Sequence, residues 1–233
     1  MEKQYFGLLA LLISPLLMSL NAQTITPKSV PQAAKQTAAD SAQLASQWFE
    51  RGETKYHLSN FAEAILDYDQ AIRLMPNRAY AYSQRGNAQY NLGWYKAAIP
   101  NYDTAIHYKS DYAPIFNSRG VAKRNLGLYD EAIVDYDEAI RLKPDYAVAF
   151  NSRGSAKVAL KLHDAALLDY EKAIKLNPNY AKAYANKGCC LVQIPNKTAW
   201  TEALIWLDKG LALDGLLNYA KDCKAEALRK LKE

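Results

Sequence analysis

Charge of one sign is never massed in this sequence. Its 29 basic and 24 acidic residues leave a formal net charge of +5, and the two signs interleave along the chain. No run of like charge marks a nucleic-acid-binding stripe or an acidic tail, so no nucleic-acid partner is expected. Histidine is sparse: His57, His107 and His163 have no metal-ligand partner at helical spacing. The three cysteines, Cys189, Cys190 and Cys223, include no CxxC pair and so indicate neither a zinc site nor a thioredoxin-like motif. A phosphate-cradling glycine loop is also missing. With these supports removed, the sequence assigns no catalytic residue, no metal and no cofactor. Phenylalanine is scarce (5) and tyrosine common (17), a balance that suits surfaces half packed and half wet. Half the residues are apolar, enough to build a core along most of the length.

The one long apolar run falls short of a bilayer. Lys3 and the amino terminus give a weak positive start, then Phe6 to Leu20 forms an apolar stretch of about fifteen residues. A spanning helix needs roughly twenty, so the run reads as the core of a signal peptide. It ends at Asn21-Ala22-Gln23, where Ala22 can precede the cut, although Leu20 is bulkier than such sites prefer. Residues 1–22 are therefore predicted as a signal peptide, and the product as exported, periplasmic or secreted. The alternative is an uncleaved anchor formed by residues 6–20, the only case in which the membrane is a partner. No cysteine follows the run, which argues against a lipid-modified terminus. Residues 23–44, alanine-rich and polar with Pro27 and Pro31, read as a linker.

From residue 45 the chain repeats. Gly52, Gly86, Gly120, Gly154 and Gly188 recur every 34 residues. In the first four copies an alanine follows (Ala64, Ala98, Ala132, Ala166), then a tyrosine (Tyr68, Tyr102, Tyr136, Tyr170), then a second alanine (Ala71, Ala105, Ala139, Ala173). Pro76, Pro144 and Pro178 close three of these units, and Ser110 stands in the other. Trp48, Gly52 and Tyr56 lie a turn apart on one face of a first helix, where the glycine admits a second helix and the facing alanine leaves room for it. Gly93 can take the left-handed cap conformation that ends a helix, and a proline after the second helix stops it. One such pair cannot bury its apolar face alone, so the units stack.

These residues resemble the tetratricopeptide-repeat (TPR) pattern W-x2-L-G-x2-Y…A-x3-F…A…P, from Ala45 to roughly Gly215. The resemblance implies an all-α fold: a right-handed superhelical solenoid of about five helix-turn-helix units with a C-terminal capping helix. The units are 45–78, 79–112, 113–146, 147–180 and a divergent 181–216, and the cap is 217–233. In the fifth, Trp200 stands where alanine is expected and Ala203 takes that role, implying about three inserted residues between Ile194 and Thr198. The leucine of the pattern is replaced by Arg51, Arg85, Arg119, Arg153 and Lys187, matched by Asp67, Asn101, Asp135 and Asp169 in the second helices. Either these form a ladder of contacts along the solenoid, or the arginines merely reach to solvent.

The family's concave face is lined by first helices, and its positions here direct attention to Tyr56, Tyr80, Asn87, Tyr90, Asn91, Asn117, Arg124, Asn125 and Asn151. Asparagine amides both donate to and accept from a peptide backbone, and tyrosines give rigid amphipathic contact area. A groove of this kind suits an extended or helical segment; the competing reading for Asn91 and Asn125 is that they cap helix ends. The clamp with which chaperone-tail-binding members hold a carboxylate is not assembled by any triplet of units. Asn87 matches one of its positions, but its companions fall on Ser83, Ser118, Val148 and Ser152. Cys190 occupies a small packed position. If the tail keeps the repeat phase, Cys189 and Cys223 lie side by side and can form a disulfide in an oxidising compartment, or remain two free thiols. The expectation is a non-enzymatic scaffold or adaptor of the cell envelope holding a protein or peptide partner. The alternatives are a structural homo-oligomer that self-associates through an exposed Trp200 and Trp206 region, and a membrane-anchored assembly factor.

Overall fold

The computed structural model describes the backbone from Gln32 and the side chains from Ala39, each to Glu233, so residues 1–31, with the predicted signal peptide, lie outside the described residues. The chain divides into residues 1–38 and 39–233, and the packing below concerns the second unit. Eleven helices and no strand occupy the described residues: α1 (Gln32–His57), α2 (Phe61–Leu74), α3 (Ala79–Asn91), α4 (Tyr95–Tyr108), α5 (Ala113–Asn125), α6 (Tyr129–Leu142), α7 (Ala147–Ala159), α8 (His163–Leu176), α9 (Ala181–Gln193), α10 (Lys197–Leu213) and α11 (Asn218–Lys232). Helix α1 begins at Gln32, so much of the segment expected to be a linker to residue 44 is helical. Its alanines lack an apolar period but carry the highest intrinsic helix propensity, and they extend a helix already anchored by the fully buried Ala45.

Each of the first four units turns on one residue of positive φ. Ser59, Gly93, Gly127 and Lys161 hold φ between 61° and 79° at equivalent positions. The next N–H reaches back to a carbonyl five residues earlier: Asn60 to Lys55, Trp94 to Gln89, Leu128 to Lys123 and Leu162 to Lys157, at 2.9–3.0 Å. This is a Schellman closure, and it fixes where the second helix starts. The fifth unit closes differently. Ile194 is extended, and the Asn196 side chain accepts from the Thr198 N–H to start α10 at Lys197.

The glycine of each first helix faces the tyrosine of its second helix rather than the alanine alone. A Cβ on Gly52, Gly86, Gly120 or Gly154 would lie 2.7–2.9 Å from the ring of Tyr68, Tyr102, Tyr136 or Tyr170. Those rings are at most 2% exposed. In the fifth unit Leu207 replaces the ring against Gly188, at the offset that the inserted residues require.

The polar ladder is present. Arg119 pairs with Asp135 in its own unit (2.6 Å) and with Asp103 in the preceding one (2.6 Å). Arg153 does the same with Asp169 and Asp137, and Arg85 with Asn101 and Asp69. Arg51 pairs with Asp67, Lys187 with Glu171 and Lys224 with Asp208, which carries the series from the first unit into α11. A second cation, Lys55, Lys123 or Lys157, shares each buried aspartate. Unit two has neither charge: Asn101 stands for the aspartate and bonds Gln89, which stands for the lysine.

First helices touch in succession, α3 with α5, α5 with α7 and α7 with α9, whereas α4, α6, α8 and α10 do not approach one another among the described residues. The first helices therefore line the inside of the curve and the second helices splay outside it, giving a superhelical solenoid. Helix α11 closes the end on α9 and α10 through Ala220 and Ala227. A disulfide joins Cys189 to Cys223, whose Cα atoms are 5.4 Å apart, and Cys190 is a buried free thiol whose pKa burial pushes up to about 11. The tryptophan region is not open. Trp206 is half-buried beneath Lys187 (3.8 Å) and Lys209 (4.6 Å) and donates to Glu202, and the Trp200 indole nitrogen is buried. The expectation of an exposed contact there is corrected, because the lysine stems of two neighbouring helices cover the ring.

Candidate functional site

Two adjoining cavities open on the inner face where α1, α3 and α5 meet. The first, about 300 Å³, is lined by Tyr56, Asn87, Tyr90, Asn91, Tyr102, Asn117, Ser118 and Val121. The second, about 370 Å³, lies among Phe49, Glu53, Tyr80, Gln84 and Tyr112 and shares Asn87 and Ser118 with the first. Together they form one groove across three units. Of the residues singled out from the sequence, Tyr56, Asn87, Tyr90, Asn91 and Asn117 meet in the first cavity and Tyr80 joins Asn87 in the second. Arg124, Asn125 and Asn151 line neither of the two.

Helix periodicity places these side chains. Asn87 and Asn91 are one turn apart on α3, so both face α1 and α5. Asn91 Nδ2 donates to the Asn87 carbonyl (2.9 Å) and to the Tyr56 hydroxyl of the preceding unit (2.8 Å). One repeat later, Asn125 Nδ2 donates to the Val121 carbonyl (2.8 Å) and the Tyr90 hydroxyl (3.2 Å). Each asparagine thus bonds the carbonyl one turn back on its own helix, and its bond to a tyrosine hydroxyl of the preceding unit ties successive units and holds two tyrosines on the groove wall. Asn151 is occupied further along, donating to Tyr180 and accepting from Asn186.

Sequence reasoning assigned Tyr102 to packing alone. Its ring crosses the gap above Gly86, and its hydroxyl emerges in the groove to donate to Asn87 Oδ1 at 2.9 Å. The glycine-to-tyrosine spacing was the available signal, since only a residue without a side chain lets the hydroxyl pass. Burial holds the Tyr102 and Tyr56 pKa values above the ordinary phenol value, so both remain neutral donors. Gln84, Ser118, Tyr112 and Pro114 were also missed. Gln84 lies one turn before Asn87 and bonds both Asn87 and Glu53. The first cavity has no carboxylate, ammonium or guanidinium among its lining residues, whereas the second has Glu53 and Arg78. Tyr80 and Tyr112 meet edge to face at 5.4 Å, with Lys109 over both rings. Among the described residues no group of three His, Cys, Asp or Glu side chains could hold a metal, and no helix is long and apolar enough to cross a membrane.

Comparison with known proteins places the repeat. A "TPR repeat" model matches residues 52–93, and tetratricopeptide-repeat models match 79–112, 113–146, 147–180 and 169–203. No curated protein matches the chain. Among solved structures, MamA from Desulfovibrio magneticus superposes with a TM-score of 0.64 at 19% identity, covering 74% of this chain and 96% of that one. YrrB, described as a TPR protein with an unusual peptide-binding site, superposes at 0.61 with 20% identity over 82% of this chain and 97% of its own. A thermophilic TPR protein of Thermus thermophilus gives 0.65 at 19% identity over 79% of this chain and 99% of that one. These likenesses show the fold. Together the family models span residues 52–203, and the chain belongs to the tetratricopeptide-repeat family.

Proposed function

We propose that this protein is a non-enzymatic scaffold or adaptor of the cell envelope that holds a peptide or protein segment in the inner groove of α1, α3 and α5. One observation carries the reading: two adjoining cavities, sharing Asn87 and Ser118, present tyrosine rings and side-chain amides over three consecutive units. That length and chemistry suit main-chain hydrogen bonding to an elongated partner, with flat aromatic walls for its side chains. A peptide-binding site in a solved protein of this fold, YrrB, supports the class of ligand. The Cys189–Cys223 disulfide supports export, since such bonds persist in oxidising compartments.

A photo-crosslinking amino acid placed at Tyr56 or Tyr90 should form adducts with a protein in envelope extract. The same probe at Val134, 67% exposed on the outer helix α6, should not. Adducts at Val134 alone, or equally at all three, would refute the groove.

A further inference from the structure

Asn117 breaks a rule that the other groove asparagines keep. Asn87, Asn91, Asn125 and Asn151 each have side-chain partners, but Asn117 Oδ1 is buried with none, and the residue is only 8% exposed. The repeat explains why. The Asn151 side-chain carbonyl accepts from Asn186, 35 residues on, and the same step from Asn117 leads to Ser152, whose shorter side chain makes no such bond. A buried polar atom left unpaired forfeits the hydrogen bonds it made to water in the unfolded chain. Here the unpaired amide forms part of the wall of the first cavity.

The rest of that wall narrows what could satisfy it. The Tyr56 and Tyr90 hydroxyls already accept from Asn91 and Asn125, so each has its proton left to donate. No lining residue carries a formal charge, and a charged group entering would lose hydration without a counter-ion. An apolar group would leave Asn117 as unpaired as before. The complement is an uncharged planar group carrying a carbonyl for the tyrosine hydroxyls and an N–H for the one wall acceptor left unpaired, Asn117 Oδ1.

We infer that this cavity is a subsite for the side-chain carboxamide of a glutamine or asparagine in the bound segment. The inference rests on the groove reading above. Its about 300 Å³ accommodates such a side chain, and a site built from hydrogen-bonding groups rejects analogues that leave those groups unmet.

The test uses the full ¹⁵N-labelled chain titrated with Ac-Ala-Gln-Ala-NH₂ and its Met, Glu, Lys and Ala counterparts, following the side-chain amide signals of Asn87, Asn91 and Asn117. The glutamine peptide should saturate with a Kd about tenfold or more below the others. Asn117→Ser, which installs the residue that unit two carries at Ser83, should abolish the preference without unfolding the chain. Equal affinity for all five, preference for Met, Glu or Lys, or a preference that survives Asn117→Ser overturns the carboxamide subsite while leaving the groove in place. If no groove signal moves with any peptide, the subsite and the groove reading fail together.

Discussion

Gly120 and Tyr136 occupy each other's space: a Cβ on Gly120 would lie 2.7 Å from Tyr136 Cε1 and 3.1 Å from the Ala132 carbonyl. The ring is fully buried and the carbonyl belongs to α6, so neither can yield cheaply. Alanine would raise helix propensity by about 1 kcal/mol, yet overpacking typically costs about 1–3 kcal/mol or more. Gly120→Ala should therefore lower stability by a net of up to about 2 kcal/mol in urea unfolding, against the sign that propensity alone predicts.

The tyrosine hydroxyls divide by what stands on the first helix. Tyr68 donates to Glu53, Tyr102 to Asn87 and Tyr170 to Ser155, whereas the same position opposite Tyr136 is Val121 and its hydroxyl is buried without a partner. Tyr102→Phe should cost about 1 kcal/mol, the value of a made bond plus an orphaned Asn87. Tyr136→Phe should be neutral or stabilising by up to about 1 kcal/mol. Parallel denaturation curves of the two variants check the contrast.

The repeat phase, the Gly93 turn and the spacing that pairs Arg51, Arg119 and Arg153 with aspartates were legible in the sequence because the repeat fixes each of them. What could not be read was contact that depends on an exception. Tyr102 reaches the groove only through the width of the Gly86 gap, which spacing does not measure. Trp206 looked exposed because the lysines that cover it, Lys187 and Lys209, count as solvent-facing when only their charge is considered. The early start of α1 was hidden because an alanine-rich segment forms helix by propensity, leaving no apolar period to read.

Unit two contains its own control for the buried charges. Asn101 and Gln89 replace an aspartate and a lysine together, while Asp135 keeps Arg119 and Lys123. Asp135→Asn alone leaves two half-buried cations short of a carboxylate and should cost roughly 3 kcal/mol. Adding Lys123→Gln rebuilds the arrangement of unit two and should recover at least about 1 kcal/mol of that loss. A double-mutant cycle reads the coupling, and strict additivity would show that the lysine does not share the aspartate.

Stability should fall at both ends of the pH scale for separate reasons. Burial disfavours the Asp67 carboxylate, but hydrogen bonds from Arg51 and Lys55 outweigh it and hold its pKa below the ordinary value. That contribution is present above the unfolded carboxylate pKa, near 4, and is lost as pH falls through the lower folded value. Burial raises the pKa of Tyr68, Tyr102, Tyr136 and Tyr170, and pushes Tyr219 up to about 12. Their contribution is complete below the unfolded phenol pKa, near 10, and is lost as pH climbs toward the folded values. Thermal melts across pH should show a plateau between these limits, with the acid limb weakened in Asp67→Asn and the alkaline limb in Tyr136→Phe.

Lys161 holds φ 61° at a turn where Gly93 and Gly127 occupy the equivalent positions. A left-handed conformation costs a residue with a Cβ roughly 1–2 kcal/mol, and glycine adopts it without that penalty. Glycine also gives the unfolded chain more freedom to lose, which offsets part of the gain. Lys161 is exposed and its side chain enters no ion pair among those described, so the substitution removes little else. Lys161→Gly should raise stability by a few tenths to about 1 kcal/mol, with the Leu162-to-Lys157 closure preserved. Lys161→Ala serves as the reference: it retains the Cβ, so a gain from alanine equal to that from glycine would show that backbone strain at this turn is not the cause.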